Sequence, residues 1–259
     1  MIIFDSHCHI NDRSFDKDRE TMIERAKENS VTHMMIAGVN LETCKKALEI
    51  AQQNKNIFIA VGVHPHDTSK CSESVIEELK KMALSEYVRA WGEIGLDFNR
   101  MHSPVDIQEK WLERQIYEAN LLDLPFIFHE RDTNGRFLEI ISKNQIKSGV
   151  IHCFSGTKKE LESYLDMGLY IGITGIVTIL QRGESLRALL KYIPENKMLV
   201  ETDAPYLAPA PQKNKTRRNE PSFLPAILKK IAEVKGTDPL KLSEIIFKNT
   251  CNLFKIKEI

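Results

Sequence analysis

Short apolar runs alternate with charged, amphipathic stretches along the whole chain. The runs at 2–9, 32–39, 57–64, 88–96, 125–130, 149–154, 169–175 and 198–203 predict strands, being short and rich in β-branched and aromatic residues. Between them, helical periodicity falls at about 17–29, 41–53, 73–84, 106–121, 133–144, 157–167 and 184–191, with further helices near 221–235 and 239–254. Strands that are apolar almost throughout, separated by helices, point to parallel pairing buried on both faces. An open doubly wound sheet would give the same alternation. The count of eight favours a closed α/β architecture, a (β/α)8 TIM barrel, and no linker or repeat divides the single domain expected over 1–259.

Composition narrows the functional classes. The chain has 259 residues, within the usual size of such a barrel, and its 36 basic and 36 acidic residues give zero net charge. That balance argues against a protein that coats long duplexes, whose affinity rests on many phosphate contacts, but leaves room for a local basic patch. No stretch of about 20 apolar residues exists to span a membrane. The opening MIIFDSHCHI lacks a basic segment before its apolar run and reads as a first strand rather than a signal peptide. Five scattered cysteines without CxxC spacing fit reduced thiols in a cytoplasmic protein.

The candidate chemistry collects at strand ends. His7, His9, His129 and His152 each end a predicted strand, as do Glu93 and Asp203. In a (β/α)8 barrel those ends meet on one face, where active sites form. Side chains alternate across a strand, so His7 and His9 point to one side and Cys8 to the other. By the same parity Glu201 and Asp203 face the barrel interior together, while Cys153 points outward, so neither cysteine is a ligand candidate. A lone strand-end carboxylate is commonly a helix cap. Six such groups together are costly to bury unless a metal or protons satisfy them. Imidazole and carboxylate donors suit Zn²⁺, Mn²⁺, Fe²⁺ or Co²⁺, with Mg²⁺ less favoured by nitrogen. Six donors exceed one tetrahedral site, and two divalent ions sharing a carboxylate use them naturally. Glu93 is the best bridge, with His7, His9 and Asp203 on one ion and His129 and His152 on the other. Such a pair clamps the attacking and leaving oxygens of a displacement and brings the pKa of water from about 15.7 to about 7. Asp203 or Glu201 could accept the proton released.

At these residues the sequence resembles the TatD-type deoxyribonucleases, a branch of the amidohydrolase-like metallo-barrels. The matching segments are FDSHCH (4–9), GVHPH (62–66), GEIGLD (92–97), HERD (129–132), HCFSG (152–156), ETDAPYL (201–207) and RNEP (218–221). The resemblance implies a divalent-metal-dependent hydrolase of phosphodiester bonds, typically a 3′ to 5′ exonuclease on single-stranded DNA and sometimes RNA. It implies His7, His9, Glu93, His129, His152 and Asp203 as metal ligands, and Glu201 as a further acidic residue of the site.

Substrate contacts are expected from residues near the barrel mouth. His64 and His66 share a parity after the third strand, and Arg131 has the parity of His129 and suits a two-pronged contact with phosphate. Lys213, Lys215, Arg217 and Arg218 form a basic run in the loop after the eighth strand. Phe98, Phe154 and Tyr206 are candidates for stacking on bases. No obligate protein partner is implied. Two rival readings share the fold: a metallo-hydrolase of a carbonyl substrate such as an amide, a lactone or a D-aminoacyl-tRNA ester, and a non-catalytic metal-binding scaffold. The first would often bridge its ions with a carboxylated lysine, where Glu93 stands here. The second would close its metal site with protein ligands.

Overall fold

The alternation closes into a barrel. The computed structural model describes residues 1–210 and 212–257, and among these eight strands form one sheet in chain order. They are β1 (Ile3–Cys8), β2 (Val31–Ala37), β3 (Ile57–Val61), β4 (Val88–Asp97), β5 (Phe126–Arg131), β6 (Gly149–Ile151), β7 (Tyr170–Ile173) and β8 (Met198–Val200). Each strand pairs in parallel with the next. Around them lie α1 (Arg19–Glu28), α2 (Leu41–Gln52), α3 (Glu73–Met82), α4 (Val105–Leu121), α5 (Arg136–Lys143), α6 (Lys158–Asp166), α7 (Glu184–Leu189), α8 (Leu224–Lys235) and α9 (Pro239–Phe254). The expected (β/α)8 barrel is therefore present. Of the domain expected over 1–259, Pro211, Glu258 and Ile259 lie outside the described residues. None of the described helices is long and apolar enough to cross a membrane.

Local sequence explains where helices start. Asn40 and Thr43 form a reciprocal capping box at α2, and Thr157 and Glu160 do the same at α6. Asp238 caps α9 by accepting from the Leu240 and Lys241 amides, and Pro239 takes the first helical position.

The barrel closes between β8 and β1 by a short seam. The Asp203 amide donates to the His7 carbonyl at 2.9 Å and the His9 amide to the Ala204 carbonyl at 2.7 Å. Side chains reinforce it: Asp5 accepts from the Thr202 amide (2.9 Å) and hydroxyl (2.5 Å), and the Ser6 hydroxyl donates to the Val200 carbonyl (3.0 Å). Asp5 is fully buried, and burial pushes its carboxyl up to about 7 despite the Thr202 hydrogen bonds.

Two apolar clusters fill the structure. The lower interior holds Phe4, Met35, Ala60, Ala90, Ile127, Val150 and Leu199, one from each strand except β7, and the C-terminal turn of α9 plugs it with Leu253 and Phe254. On β7 the inward position is Gly172, and the Glu201 side chain occupies the space left. The larger cluster lies between strands and helices and contains Cys8, Trp91, Ile94 and Leu96. Each large apolar side chain buried this way contributes on the order of 1.5–3 kcal/mol.

Several elements are shorter than the pattern predicts. The ladder of β6 stops at Ile151 and that of β8 at Val200, so His152, Glu201 and Asp203 lie just past the paired segments. Cys153 and Asp203 adopt left-handed backbone, with φ of 48° and 56°. The segment before α8 is a single 3-10 turn, Pro221–Phe223, because Pro225 has no amide hydrogen to donate back to the Pro221 carbonyl.

Candidate metal centre

Two irregularities aim the donors. From Ala90 in the barrel interior, strict alternation would send Ile94 inward, yet Ile94 packs in the outer cluster. The register shifts between Gly92 and Ile94, and Glu93 enters the mouth instead. On β1 a shift between Asp5 and Cys8 does the same for His7, leaving Cys8 in the outer cluster as expected. Beside β5, Gly95 has φ 155°, and a Cβ there would stand 1.8 Å from the His129 carbonyl oxygen. Only glycine lets the two strands approach so closely next to a donor.

The six expected donors meet. Glu93 lies at their centre, with its two oxygens facing different partners. Oε1 is 2.7 Å from His129 Nδ1, 3.4 Å from His64 Nε2 and 3.8 Å from His152 Nε2. Oε2 is 3.3 Å from His7 Nε2 and 3.7 Å from His9 Nε2. Asp203 Oδ1 stands 3.3 Å from His9 Nε2 and 3.7 Å from both His7 Nε2 and His152 Nε2. The His7 and His9 Nε2 atoms lie 3.2 Å apart. Three overlapping groups could each hold an ion: His7, His9 and Glu93; His7, His152 and Asp203; and His64, Glu93 and His129. Lone-pair donors converging on common points from buried residues are what a metal ion requires, so the donor set fits divalent cations.

The electrostatics describe the same convergence. Burial alone would raise the Glu93 carboxyl, but His64, His7, His152 and His129 hold it well below the usual range. Asp203 is lowered likewise, with burial opposed by His9 and His152. Burial disfavours charge on His129 and His152, yet their carboxylate neighbours raise them to about 9 and about 10. Burial wins for His64, which falls to about 4, and for His7. The carboxylates of the cluster thus favour positive charge on the groups around them.

Glu201 takes a different place from the one its sequence position suggests. It is sealed from solvent beneath His152, its Oε1 2.8 Å from His152 Nδ1 and accepting from the Cys153 amide at 2.6 Å. Its other oxygen accepts from the Ser6 hydroxyl at 3.3 Å. This carboxylate backs an imidazole and does not face the mouth.

The expected substrate contacts separate. His64 is buried beside Glu93 and joins the donor cluster, while His66 is 32% exposed at the mouth. Arg131 ends β5 half-buried and makes no ion pair among the described residues. Lys213, Lys215 and Arg217 are exposed. Arg218 instead pairs with Asp18 at 2.7 Å and lies over the Phe15 ring at 4.6 Å, so its charge is taken by a residue of the β1 loop. Of the aromatics, Phe154 is core, Phe98 is packed against it, and Tyr206 stays 54% exposed with its ring edge-on to His9. Phe154 thus cannot stack on a base, because Tyr164 and the outer cluster cover it. Sequence reasoning passed over Asp97, although it is a strand-end carboxylate of the same kind as Glu93.

The sequence pattern of the TatD related DNases matches residues 4–255. The chain belongs to this family. This TatD-family chain is 39% identical to the 3′-5′ ssDNA/RNA exonuclease TatD of Pectobacterium carotovorum, over 98% of this chain and 100% of that protein. It is 41% identical to the protein of the same name from Cronobacter sakazakii, over 97% of both. Among solved structures, a TatD homologue from Escherichia coli superposes with a TM-score of 0.89 at 26% identity, covering 98% of each chain. A TatD family hydrolase from Entamoeba histolytica gives 0.88 at 25% identity, covering 99% of each. The TatD fold and the strand-end donor cluster thus occur together over nearly the full length.

Proposed function

We propose that this protein is a divalent-metal-dependent exonuclease that removes nucleotides from the 3′ end of single-stranded DNA or RNA. The observation that carries the reading is Glu93, whose two oxygens face two different sets of imidazoles. The near full-length identity to exonucleases of that name supports the substrate class.

His7, His9 and Asp203 would hold one ion and His129 and His152 the other, with Glu93 between the two sets and His64 beside the second. Bound Zn²⁺, Mn²⁺ or Mg²⁺ would neutralise phosphate charge and make water acidic enough to supply hydroxide near neutral pH. Asp203, partly open to solvent, accepts the proton of the attacking water on its carboxylate. The oxygen attacks phosphorus in the terminal linkage, the 3′-oxygen of the preceding nucleotide leaves, and the freed nucleotide keeps its 5′-phosphate. Glu201 takes no proton from water and acts through His152, fixing which ring nitrogen faces the centre. His66, Arg131, Lys213, Lys215 and Arg217 meet the strand's phosphates, and Tyr206 offers a face to a base. Arg218 serves that loop by anchoring it to Asp18.

Nothing at the site favours a carbonyl substrate, since the fourth strand supplies Glu93 where a carboxylated lysine would stand. A closed structural metal site would not leave His9, Asp203 and His129 partly exposed. The test is product mapping on 5′-labelled single-stranded DNA and RNA, with aminoacylated tRNA in parallel, before and after chelation and with metals restored. A ladder shortening from the 3′ end, lost on chelation, is expected. Cleavage that survives complete metal removal refutes the reading, and hydrolysis of the aminoacyl ester alone moves the site to carbonyl chemistry.

A further inference from the structure

Two of the clustered imidazoles have a carboxylate behind them. Glu201 stands behind His152, and the counterpart for His129 is Asp97, the last residue of β4, which is buried. Its Oδ1 accepts from the backbone amides of Asn99 (3.0 Å) and Arg100 (2.8 Å). That leaves Oδ2 to face two rings: His66 Nε2 at 2.8 Å and His129 Nε2 at 3.3 Å. The opposite nitrogen of His129 is the one that lies 2.7 Å from Glu93.

The backbone that carries the Asp97 carboxylate is braced from outside the barrel. Buried Gln108 on α4 accepts from the Asp97 amide (2.9 Å) and donates to the carbonyls of Asp97 (3.2 Å) and Ser103 (2.8 Å). The Ser103 hydroxyl donates to the His66 carbonyl (3.2 Å) and accepts from the Ser69 amide (3.0 Å). The loops after β3 and β4 are thereby tied together through their backbones, which fixes the Cα positions of His66 and Asp97 relative to one another.

We propose that Asp97 is a positioning residue that ties the mouth imidazole of His66 to the metal donor His129 through one carboxylate oxygen. A carboxylate accepts only, so each ring must present an N–H to it. Asp97 therefore selects the tautomer of His129 with hydrogen on Nε2 and leaves the Nδ1 lone pair for an ion beside Glu93. The same oxygen holds His66 where a phosphate entering the mouth would meet it. A strand seated against His66 is thus held in register with the second set of donors. The His66 half rests on the phosphodiesterase reading, whereas the His129 half concerns metal binding and stands without it.

Asp97→Asn separates the two. Asparagine keeps the size and, with its oxygen on the Asn99 and Arg100 amides, points an N–H donor at both rings. His129 would then have to accept on Nε2 and carry its hydrogen toward Glu93. Calorimetric titration of the metal-free protein with Mn²⁺ is expected to show affinity weakened about 10–100-fold. His66→Ala is expected to leave Mn²⁺ affinity within about twofold while raising KM for a single-stranded oligonucleotide ~10-fold, through loss of the oriented ring against which the strand sits at the mouth. In the wild-type protein loaded with diamagnetic Zn²⁺, ¹⁵N NMR of labelled histidines is expected to place the single His129 hydrogen on Nε2, a reading that needs no variant to fold. Wild-type Mn²⁺ affinity in Asp97→Asn, or a single His129 hydrogen on Nδ1 in the Zn²⁺-loaded protein, overturns the proposal. Unchanged KM in His66→Ala removes the link to the mouth. Loss of nuclease activity from every preparation would count against the exonuclease reading while the Mn²⁺ titration still reported on Asp97.

Discussion

Gly172→Ala tests whether Glu201 works from behind His152. A Cβ at Gly172 would stand 2.7 Å from each Glu201 carboxylate oxygen, so the group must retreat about 0.7 Å to reach ordinary contact at 3.4 Å. Glu201 is fully buried and its Oε1 is already held by the Cys153 amide, so no empty space receives it. Any such shift disturbs the 2.8 Å approach to His152 Nδ1. Overpacking of this kind costs about 1–3 kcal/mol. For a chain of this size the melting midpoint should fall by roughly 2–4 °C per kcal/mol. Metal affinity should weaken about 10–100-fold as the His152 ring loses its support. Thermal melts of the metal-free protein and Mn²⁺ titration read the two effects separately. Glu201→Gln is the companion, since its carbonyl oxygen can keep the Cys153 and His152 contacts and its amide can face the Ser6 hydroxyl. It should lose little stability. Wild-type melting and wild-type metal affinity in Gly172→Ala would show that the carboxylate is not fitted behind the ring, and the positioning role would fall.

Asp203→Asn should lower turnover by orders of magnitude with the barrel still folded by circular dichroism; near-normal turnover would remove Asp203 as proton acceptor. Replacing Lys213, Lys215 and Arg217 together with Ala should flatten the log–log salt dependence of oligonucleotide binding by roughly 2, at about 0.7 per phosphate contact on single strands. An unchanged slope would return those residues to the solvated surface. The Arg218 hydrogen bond, outweighing the opposing effect of partial burial, and the Arg25 pair hold the Asp18 carboxyl well below its ordinary value of 3.8. Folding therefore favours the ionised form, and this stabilisation is complete above about pH 4 and fades as pH falls through the lowered value. Urea midpoints of the wild type and Asp18→Asn between pH 2 and 5 should converge toward the acid end. A constant gap would show that the pair adds no pH-dependent stability.

Much of this was legible in the chain. Strand periodicity located His7, His9, His129 and His152 at strand ends, and the barrel geometry then placed those ends together. Parity also correctly turned Cys8 away. It could not have turned Glu93 inward, because that depends on a register shift against β5, which no single strand records. It put Glu201 and Asp203 on the interior face one layer apart, but only the glycine opposite on β7 shows that the lower one has a slot behind an imidazole, out of reach of the mouth. Arg218 looked like its basic neighbours, since its partner Asp18 lies 200 positions away. Asp97 carried the right signal and was overlooked because a lone acid at a strand end is most often a cap.

The seam between β8 and β1 carries a consequence for how the activity is acquired. His7 and His9 precede Asp203 by more than 190 residues, and the two ends of the sheet join through contacts of that very long sequence separation. Such contacts form late, after the entropy of closing a long loop has been overcome. A chain lacking β8 has neither Asp203 nor Glu201, so His7, His9 and His152 lose those facing carboxylates, and its ability to cleave nucleic acid awaits completion of the cylinder. Divalent ions, which recognise only the completed arrangement, then draw the equilibrium toward it, and the enzyme becomes sturdier at the moment it becomes competent.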